Sequence, residues 1–321
     1  MNKENRVLRT LLWVVLSVPF AVLAQFPAKP IRMVVPFPAG SATDTVARIL
    51  SNSVSQSIGQ PLVVENKAGA DGAIAAAEVV KSPADGYTLL MATNSPMSAV
   101  PSMKRNPPYD PVADFTPITD VGRYTFFIVI HPSVPAKTLA ELIDFARANP
   151  GKLNYATGNT TGIVSSAFFA SQAQITMVHV PYKGEPQAIA DLVAGRVQLM
   201  FASSTTSVPQ VREGKLRALV TTLAKRSQLL PEVPTISEAG MPQFSITSWA
   251  GLFGPAKMPR EVVERLNREF AAAMARPDVQ AAMERQAFAL TPSSPEQLAA
   301  FVKEQLESYR RTLQAAGVQP E

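Results

Sequence analysis

The chain has 321 residues, 46% of them hydrophobic and 17% charged, with a formal net charge of +5, two histidines and no cysteine. Such a length supports a sizeable core without disulfides, and the absence of cysteine excludes thiolate nucleophiles, Cys-ligated metals and a lipid tether on an N-terminal cysteine. The basic residues are scattered and not gathered with aromatics onto one face, so nucleic acid is not an expected partner.

Lys3, Arg6 and Arg9 precede the apolar run LLWVVLSVPFAVLA, which ends in the small residues Val22 and Ala24. A charged start, a short apolar core and a small-residue exit define a secretory signal over residues 1–24, with cleavage after Ala24 and delivery to a periplasm. Pro19 interrupts the run before it reaches the roughly 20 apolar residues of a membrane span.

From there, short strand-like runs alternate with helical segments. IRMVV leads into a helix from about Ala42 to Ser57, with Val46, Ile49, Leu50 and Val54 on one face. PLVVEN, a helix from about Gly72 to Lys81, and YTLLMAT follow. NPPYDPVADFTPI is proline-rich and reads as a connection. The grammar then restarts with FFIVI (Phe126 to Ile130), a helix closing at Pro150-Gly151, MVHVPY, a helix from about Pro186 to Ala194, VQLMFAS and LRALVTTL. MPQFSITSWAGLFGPAKMP reads as a return crossing. The C-terminus is helical: Val262, Leu266 and Phe270 recur at four-residue spacing, and Ser294 and Pro295 mark the N-cap and first position of a last helix with Leu298, Phe301, Val302 and Leu306 as its stripe. Strands alternating with helices imply βαβ units and mostly parallel sheets. Two such units suggest two lobes.

Most chemistries lack their residues here. His131 and His179 are far apart in sequence, and each reads as a packed structural residue; no metal-ligand spacing occurs. Neither G-x-S-x-G nor S-x-x-K is present, and neither are the dinucleotide and P-loop glycine motifs, so no catalytic residue, metal or cofactor is expected. Asp44, Asp71 and Asp85 lie beside glycines or at helix starts, where carboxylates cap and turn. What remains is four small polar loops where strands end and helices begin: Pro38 to Asp44, Ala92 to Ser95, Tyr155 to Gly162, and Phe201 to Ser207. Ligands of open α/β sheets bind at the C-terminal ends of strands, and a helix N-terminus offers free N–H groups to an anion. No Arg or Lys occurs between Val34 and Ala47, so an anion at the first loop would be held by backbone N–H groups, hydroxyls and water, with Gly40 leaving room for its approach and Asp44 fixing the loop through Arg48.

The stretches KPIRMVVPFPAGSATDTVAR, VVENKAGADGAIAAAEVVKSPADGYTLLMATNS, YDPVADFTPIT, ANPGKLNYAT, VHVPYKGEPQAIADLVAGRVQLMF, LRALVTTLAKRSQLLPEVPTISEAG and SWAGLFGPAKMP, in this order, resemble the extracytoplasmic solute receptors of the tripartite tricarboxylate transporters, the Bug receptors. The resemblance implies a two-lobed periplasmic-binding-protein fold (type II, Venus-flytrap), α/β with a mixed sheet in each lobe. It places lobe 1 at 25–125 and 247–321 and lobe 2 at 126–246. It also implies a small organic acid or amino acid as ligand, membrane transporter subunits as partners, and a monomeric receptor. Carried over residue by residue, the ligand would meet Phe37, Ala39, Gly40, Ser41, Thr43 and Asp44 of the first loop, Asn94 and Ser95, then Thr157, Gly158, Asn159, Thr160, Thr161 and Ser203. Three positions depart from the family pattern: Ser41 replaces a second glycine, Ile163 stands near a usual histidine, and Ala202-Ser203 replace a usual Asp or Asn. These departures point towards a less highly charged or more apolar acid. Two other classes stay open on sequence alone, a sensory or orphan receptor of the same fold and a periplasmic hydrolase.

Overall fold

The computed structural model describes residues 26–223, 225–244 and 248–315. The expected signal peptide, its cleavage site and residues 245–247 of the return crossing lie outside them. The chain opens with Ile31–Val35 (β1) and Ala42–Ile58 (α1), followed by Leu62–Asn66 (β2), a 3-10 turn at Ala70–Gly72, and Ala73–Val80 (α2). Thr88–Thr93 (β3) runs into a π turn at Ser95–Ala99, Val100–Met103 (α3) and Phe115–Tyr124 (β4). Only Thr125 separates β4 from Phe126–Ile130 (β5). Then come Leu139–Ala148 (α4), Asn154–Thr157 (β6), Thr160–Ala173 (α5), Val178–Pro181 (β7) and Glu185–Val193 (α6). Leu199–Ser203 (β8), Ser204–Arg212 (α7) and Arg217–Thr221 (β9) complete that half. Ser248–Pro255 (β10), Arg260–Ala275 (α8), Pro277–Glu284 (α9), Phe288–Leu290 (β11) and Pro295–Ala315 (α10) end it.

Two sheets result, with strand orders β11-β4-β10-β3-β1-β2 and β7-β6-β8-β5-β9. The βαβ units give the parallel pairs β1–β2, β1–β3, β6–β7 and β6–β8. The sheets are nonetheless mixed. β10 is antiparallel to β3 and β4, and β5 is antiparallel to β8 and β9. β5 follows β4 of the other lobe with only Thr125 between, and among the described residues no helix separates β9 from β10, so nothing there imposes a parallel direction. The proline-rich connection likewise ends in a strand, because Pro117 sits beside a register shift between β4 and β10, where no ladder hydrogen bond is demanded of it.

The inner strands β3, β5 and β8 read as largely apolar runs because both of their faces are covered. In β1, Ile31, Met33 and Val35 face a core shared with Val46, Leu50 and Val54 of α1 and Leu266 and Phe270 of α8, while Val34 faces Ala75, Ala76 and Val79 of α2 and Leu298 and Val302 of α10. In β5, Ile128 and Ile130 join the first core; Phe127 and Val129 face Ala188 and Leu192 of α6. Ser294 and Gln297 cap α10 reciprocally, amide to side chain at 3.2 and 2.9 Å.

Gly122 marks the point in β4 where three strands meet, paired with Ala250 on one side and Leu290 on the other. A Cβ there would lie 2.2 Å from the Ala289 carbonyl oxygen. Gly122→Ala is expected to push β11 off the sheet and cost about 1–3 kcal/mol, as overpacking does, read from denaturant unfolding.

Candidate functional site

The first loop is built around one carboxylate. Asp44 is buried, and its oxygens accept from the Gly40 amide (3.0 Å), Arg48 Nε (3.0 Å) and Asn66 Nδ2 (2.9 Å); Asn66 also donates to the Phe37 carbonyl at 2.9 Å. Burial pushes the Asp44 carboxyl up, but Arg48, the Gly40 amide and Asn66 outweigh it and hold the group below its usual 3.8. Asp44 therefore fixes the loop, as expected. Gly40 has a φ of +80°, which glycine adopts without strain, and a Cβ there would meet no protein atom within 4 Å. Ser41 caps α1, its Oγ accepting from the Asp44 amide and its carbonyl from the Thr45 amide. The first two helical amides, Ala42 and Thr43, have no carbonyl to bond within the helix.

The second lobe presents a matching end. Asn159 caps α5, its Oδ1 accepting from the Gly162 amide at 2.9 Å and its carbonyl from Ile163. Thr160 and Thr161 are the first residues of that helix, and both are buried. Between the two helix ends lies a narrow cavity. Phe37, Ser41, Ala42 and Thr43 line it from the first lobe, with Thr93, Ser95 and Ser248; Tyr124 and Phe126 line it from the crossing; Gly158, Asn159, Thr161 and Glu185 close it from the second lobe. A second, roomier cavity shares Phe37, Gly158 and Asn159 and adds Asp71, Thr157, Tyr182 and Lys183.

The lobes touch closely at this point. A Cβ on Gly184 would lie 2.6 Å from the Pro38 ring; within the second lobe, one on Gly158 would lie 2.3 Å from the Glu185 amide. Asn94 ties the closure together. Its Nδ2 donates to Thr161 Oγ1 (2.5 Å) and to the Tyr309 hydroxyl of α10, and its Oδ1 accepts from Ser248 Oγ (3.1 Å). Ser95 Oγ adds a 3.3 Å contact to Thr161.

Of the sequence candidates, Phe37, Ser41, Thr43, Ser95, Gly158, Asn159 and Thr161 come together on the first cavity. Ala39 and Gly40 are exposed on the loop beside it. Asp44 lies behind the loop, and the Asn94 amide is committed to protein partners. Thr157 lines the second cavity and bonds His179 Nε2 at 2.7 Å. Thr160 is buried at the start of α5, its hydroxyl without a hydrogen-bond partner, and Asp71 lines the second cavity, where burial pushes its carboxyl up. Ser203 stands behind Glu185. His179 was expected to be packed; it is exposed on β7, stacked on Tyr155 at 5.0 Å, because β7 is the edge strand of its sheet. Sequence reasoning missed Glu185, Tyr124 and Phe126. Glu185 is buried at the start of α6, where its Oε1 accepts from Asn159 Nδ2 (3.1 Å) and its Oε2 from Ser203 Oγ (2.5 Å), the Ser203 amide (3.3 Å) and Thr206 Oγ1 (3.0 Å). The charged Glu immediately before Pro186 was the available signal.

Among the described residues no group of three His, Cys, Asp or Glu could hold a metal ion, and no helix is long and apolar enough to cross a membrane. Two mixed α/β sheets joined by crossing strands, with a polar cavity between them, define a two-lobed periplasmic binding protein. A profile described as the tripartite tricarboxylate transporter family receptor matches residues 46–318. A Pseudomonas sp. (strain P51) protein, the UPF0065 protein in the tcbD-tcbE intergenic region, is 40% identical over 91% of this chain and 87% of its own length. Protein BugT of Bordetella pertussis is 33% identical over 91% and 90%. Among solved structures, an R. palustris protein with adipate superposes with TM-score 0.89 at 32% identity, covering 92% of this chain and all of that one. MatC from Rhodopseudomonas palustris with bound malate gives 0.85 at 30%, covering 90% and 100%. The chain belongs to the tripartite tricarboxylate transporter receptor family, the Bug receptors, and is a solute-binding receptor.

Removing the Asp44 carboxylate strands the Gly40 amide and Asn66, so Asp44→Ala is expected to cost about 1–3 kcal/mol. Because the folded-state value is depressed, the contribution is complete above 3.8 and is lost as pH falls through the folded value. Stability of wild type and Asp44→Asn, measured against pH, is expected to converge at the acid end.

Proposed function

We propose that the protein is exported by cleavage after Ala24, acts in the periplasm as a monomer, and captures a small carboxylated solute between its lobes for delivery to the membrane subunits of a tripartite transporter, leaving the solute chemically unchanged. The observation that carries this reading is the pair of helix N-termini, α1 from one lobe and α5 from the other, that meet on a cavity whose lining contains no Lys or Arg. Helix-end amides and the positive dipole ends suit a carboxylate without a counter-cation. The amides of Ala42 and Thr43 would take the carboxylate, with the hydroxyls of Ser41, Thr43, Ser95 and Thr161 around it. Malate and adipate, the ligands named for two relatives of like fold, are small carboxylates of this kind. Ser41, Thr43, Ser95, Gly158, Asn159 and Thr161 are proposed as ligand contacts, Asp44 and Ser203 as their supports, and Asn94 as the closure tie. Lobe 1 is proposed to comprise 25–125 and 247–321, and lobe 2 to comprise 126–246. Sheet membership supports this, changing between Tyr124 and Phe126 and again between Thr221 and Ser248.

Mono- and dicarboxylates of three to six carbons, screened by thermal shift on the chain from Gln25, test the reading. A ligand at 100 times its Kd adds about 2.7 kcal/mol of stability. A panel in which no acid raises the midpoint overturns receptor binding of carboxylates, and a hit that NMR shows being converted overturns the non-catalytic reading. Ala42→Pro probes the anion site directly. Proline is accepted at the first helical position, and Ser41 before it already has φ −71° and ψ 160°, the extended geometry proline requires. The variant is expected to keep its midpoint without ligand and to lose at least about tenfold in affinity for the acid, about 1.4 kcal/mol.

A further inference from the structure

We propose that the solute carries a cationic nitrogen as well as a carboxylate, the carboxylate seated on the α1 N-terminus and the cation on Glu185. This rests on the carboxylate reading above and narrows it. Glu185 is the single charged side chain among the described residues lining the first cavity, and it is a carboxylate; Asp71 and Lys183 line only the adjoining second cavity. Its position is built. Asn159 donates to Oε1, while Ser203, through both its amide and its hydroxyl, and Thr206 donate to Oε2. Oε2 is thus filled by three donors, whereas Oε1 has one and retains a lone pair. The four donors are what an ionised carboxylate recruits. Burial raises the Glu185 carboxyl above its ordinary value, and these donors offset only part of that push.

The surroundings fit an amphoteric solute better than a dianion. Ser203, one of the departures from the family pattern, is the residue whose hydroxyl and amide hold Glu185, and Ala202 beside it carries no polar group. Tyr124 links the two ends of the cavity: its hydroxyl donates to Thr43 Oγ1 at 3.1 Å, and the Glu185 charge reinforces the upward push that burial gives its phenol. Phe37, Tyr124 and Phe126 supply the apolar wall between them, suited to a short carbon frame and favourable to a cation. A dicarboxylate lying along the same line would place its second carboxylate against Glu185 with no Lys or Arg in the lining to separate the charges.

The test is isothermal titration of the chain from Gln25 with matched probes of equal chain length: ω-amino acids from three to six carbons, their trimethylammonium forms, the corresponding dicarboxylates, and the monocarboxylates. Expected is at least tenfold tighter binding of an ammonium or trimethylammonium acid than of its dicarboxylate. Glu185→Gln, which keeps shape and removes charge, is expected to reverse the order, weakening the cationic acid at least tenfold and strengthening the dicarboxylate. Glu185→Asp keeps the charge but withdraws it by one methylene, and an intermediate loss is expected; this second variant, with ligand-free midpoints of all three proteins, separates charge from damage to the fold. Dicarboxylates that bind wild type as tightly as the amino acids, or a preference unchanged in Glu185→Gln, overturn the inference while leaving the carboxylate reading intact. Failure of every acid overturns both.

Discussion

A helix end can hold an anion only if it is delivered with its first amides unspent, and the Phe37–Asp44 turn meets that requirement of the proposed site. The Asp44 carboxylate bonds the Gly40 amide, Arg48 and Asn66, and so absorbs the donors of the turn itself. Ser41 takes the Asp44 and Thr45 amides. Ala42 and Thr43 remain. The same division occurs on α5, where Asn159 takes the amides of Gly162 and Ile163 and leaves those of Thr160 and Thr161 at the cleft. Two lobes with unrelated sequences thus present the same partial charge to a common space.

Closure depends on small contacts spread over the chain. Gly184 meets Pro38 at a separation that leaves no room for a side chain, and Thr161 meets Asn94 and Ser95. Asn94 also joins Ser248 of β10 and Tyr309 of α10, so the end of β3, the return strand and the C-terminal helix meet at one amide. Thr125 at the crossing bonds the Ala287 carbonyl at 2.5 Å, and the Ser204 amide bonds the Thr125 carbonyl at 2.9 Å. The lobes are therefore linked by hydrogen bonds as well as by chain.

Much of the fold is legible because helix and strand periods are local. The stripe of α1, its Ser41 cap and the capping pair that begins α10 all follow from residues within a few positions of one another. The first loop was legible for the same reason. Glu185, Tyr124 and the commitment of Asn94 were not, since each depends on contacts between residues far apart in sequence: Tyr124 reaches Thr43, and Asn94 reaches Tyr309. Glu185 was hidden further by its context, because an acidic residue before proline at a helix start reads as dipole chemistry. Only the opposite lobe turns it into the wall of a cavity. The mixed sheets were partly hidden too, since strand direction at β5 and β10 follows from the passage between lobes and not from the βα grammar.

The amides of Ala42 and Thr43 have a consequence for how such a receptor diversifies. Their direction is fixed when the helix folds, so gripping a carboxylate freezes no side-chain rotor and carries little of the entropy penalty that lysine or arginine would incur. A main-chain donor also has no codon of its own. Side chains around the cleft would be free to drift and re-aim specificity, the part proposed for Glu185, while the proposed grip on the anion would be inherited with the backbone.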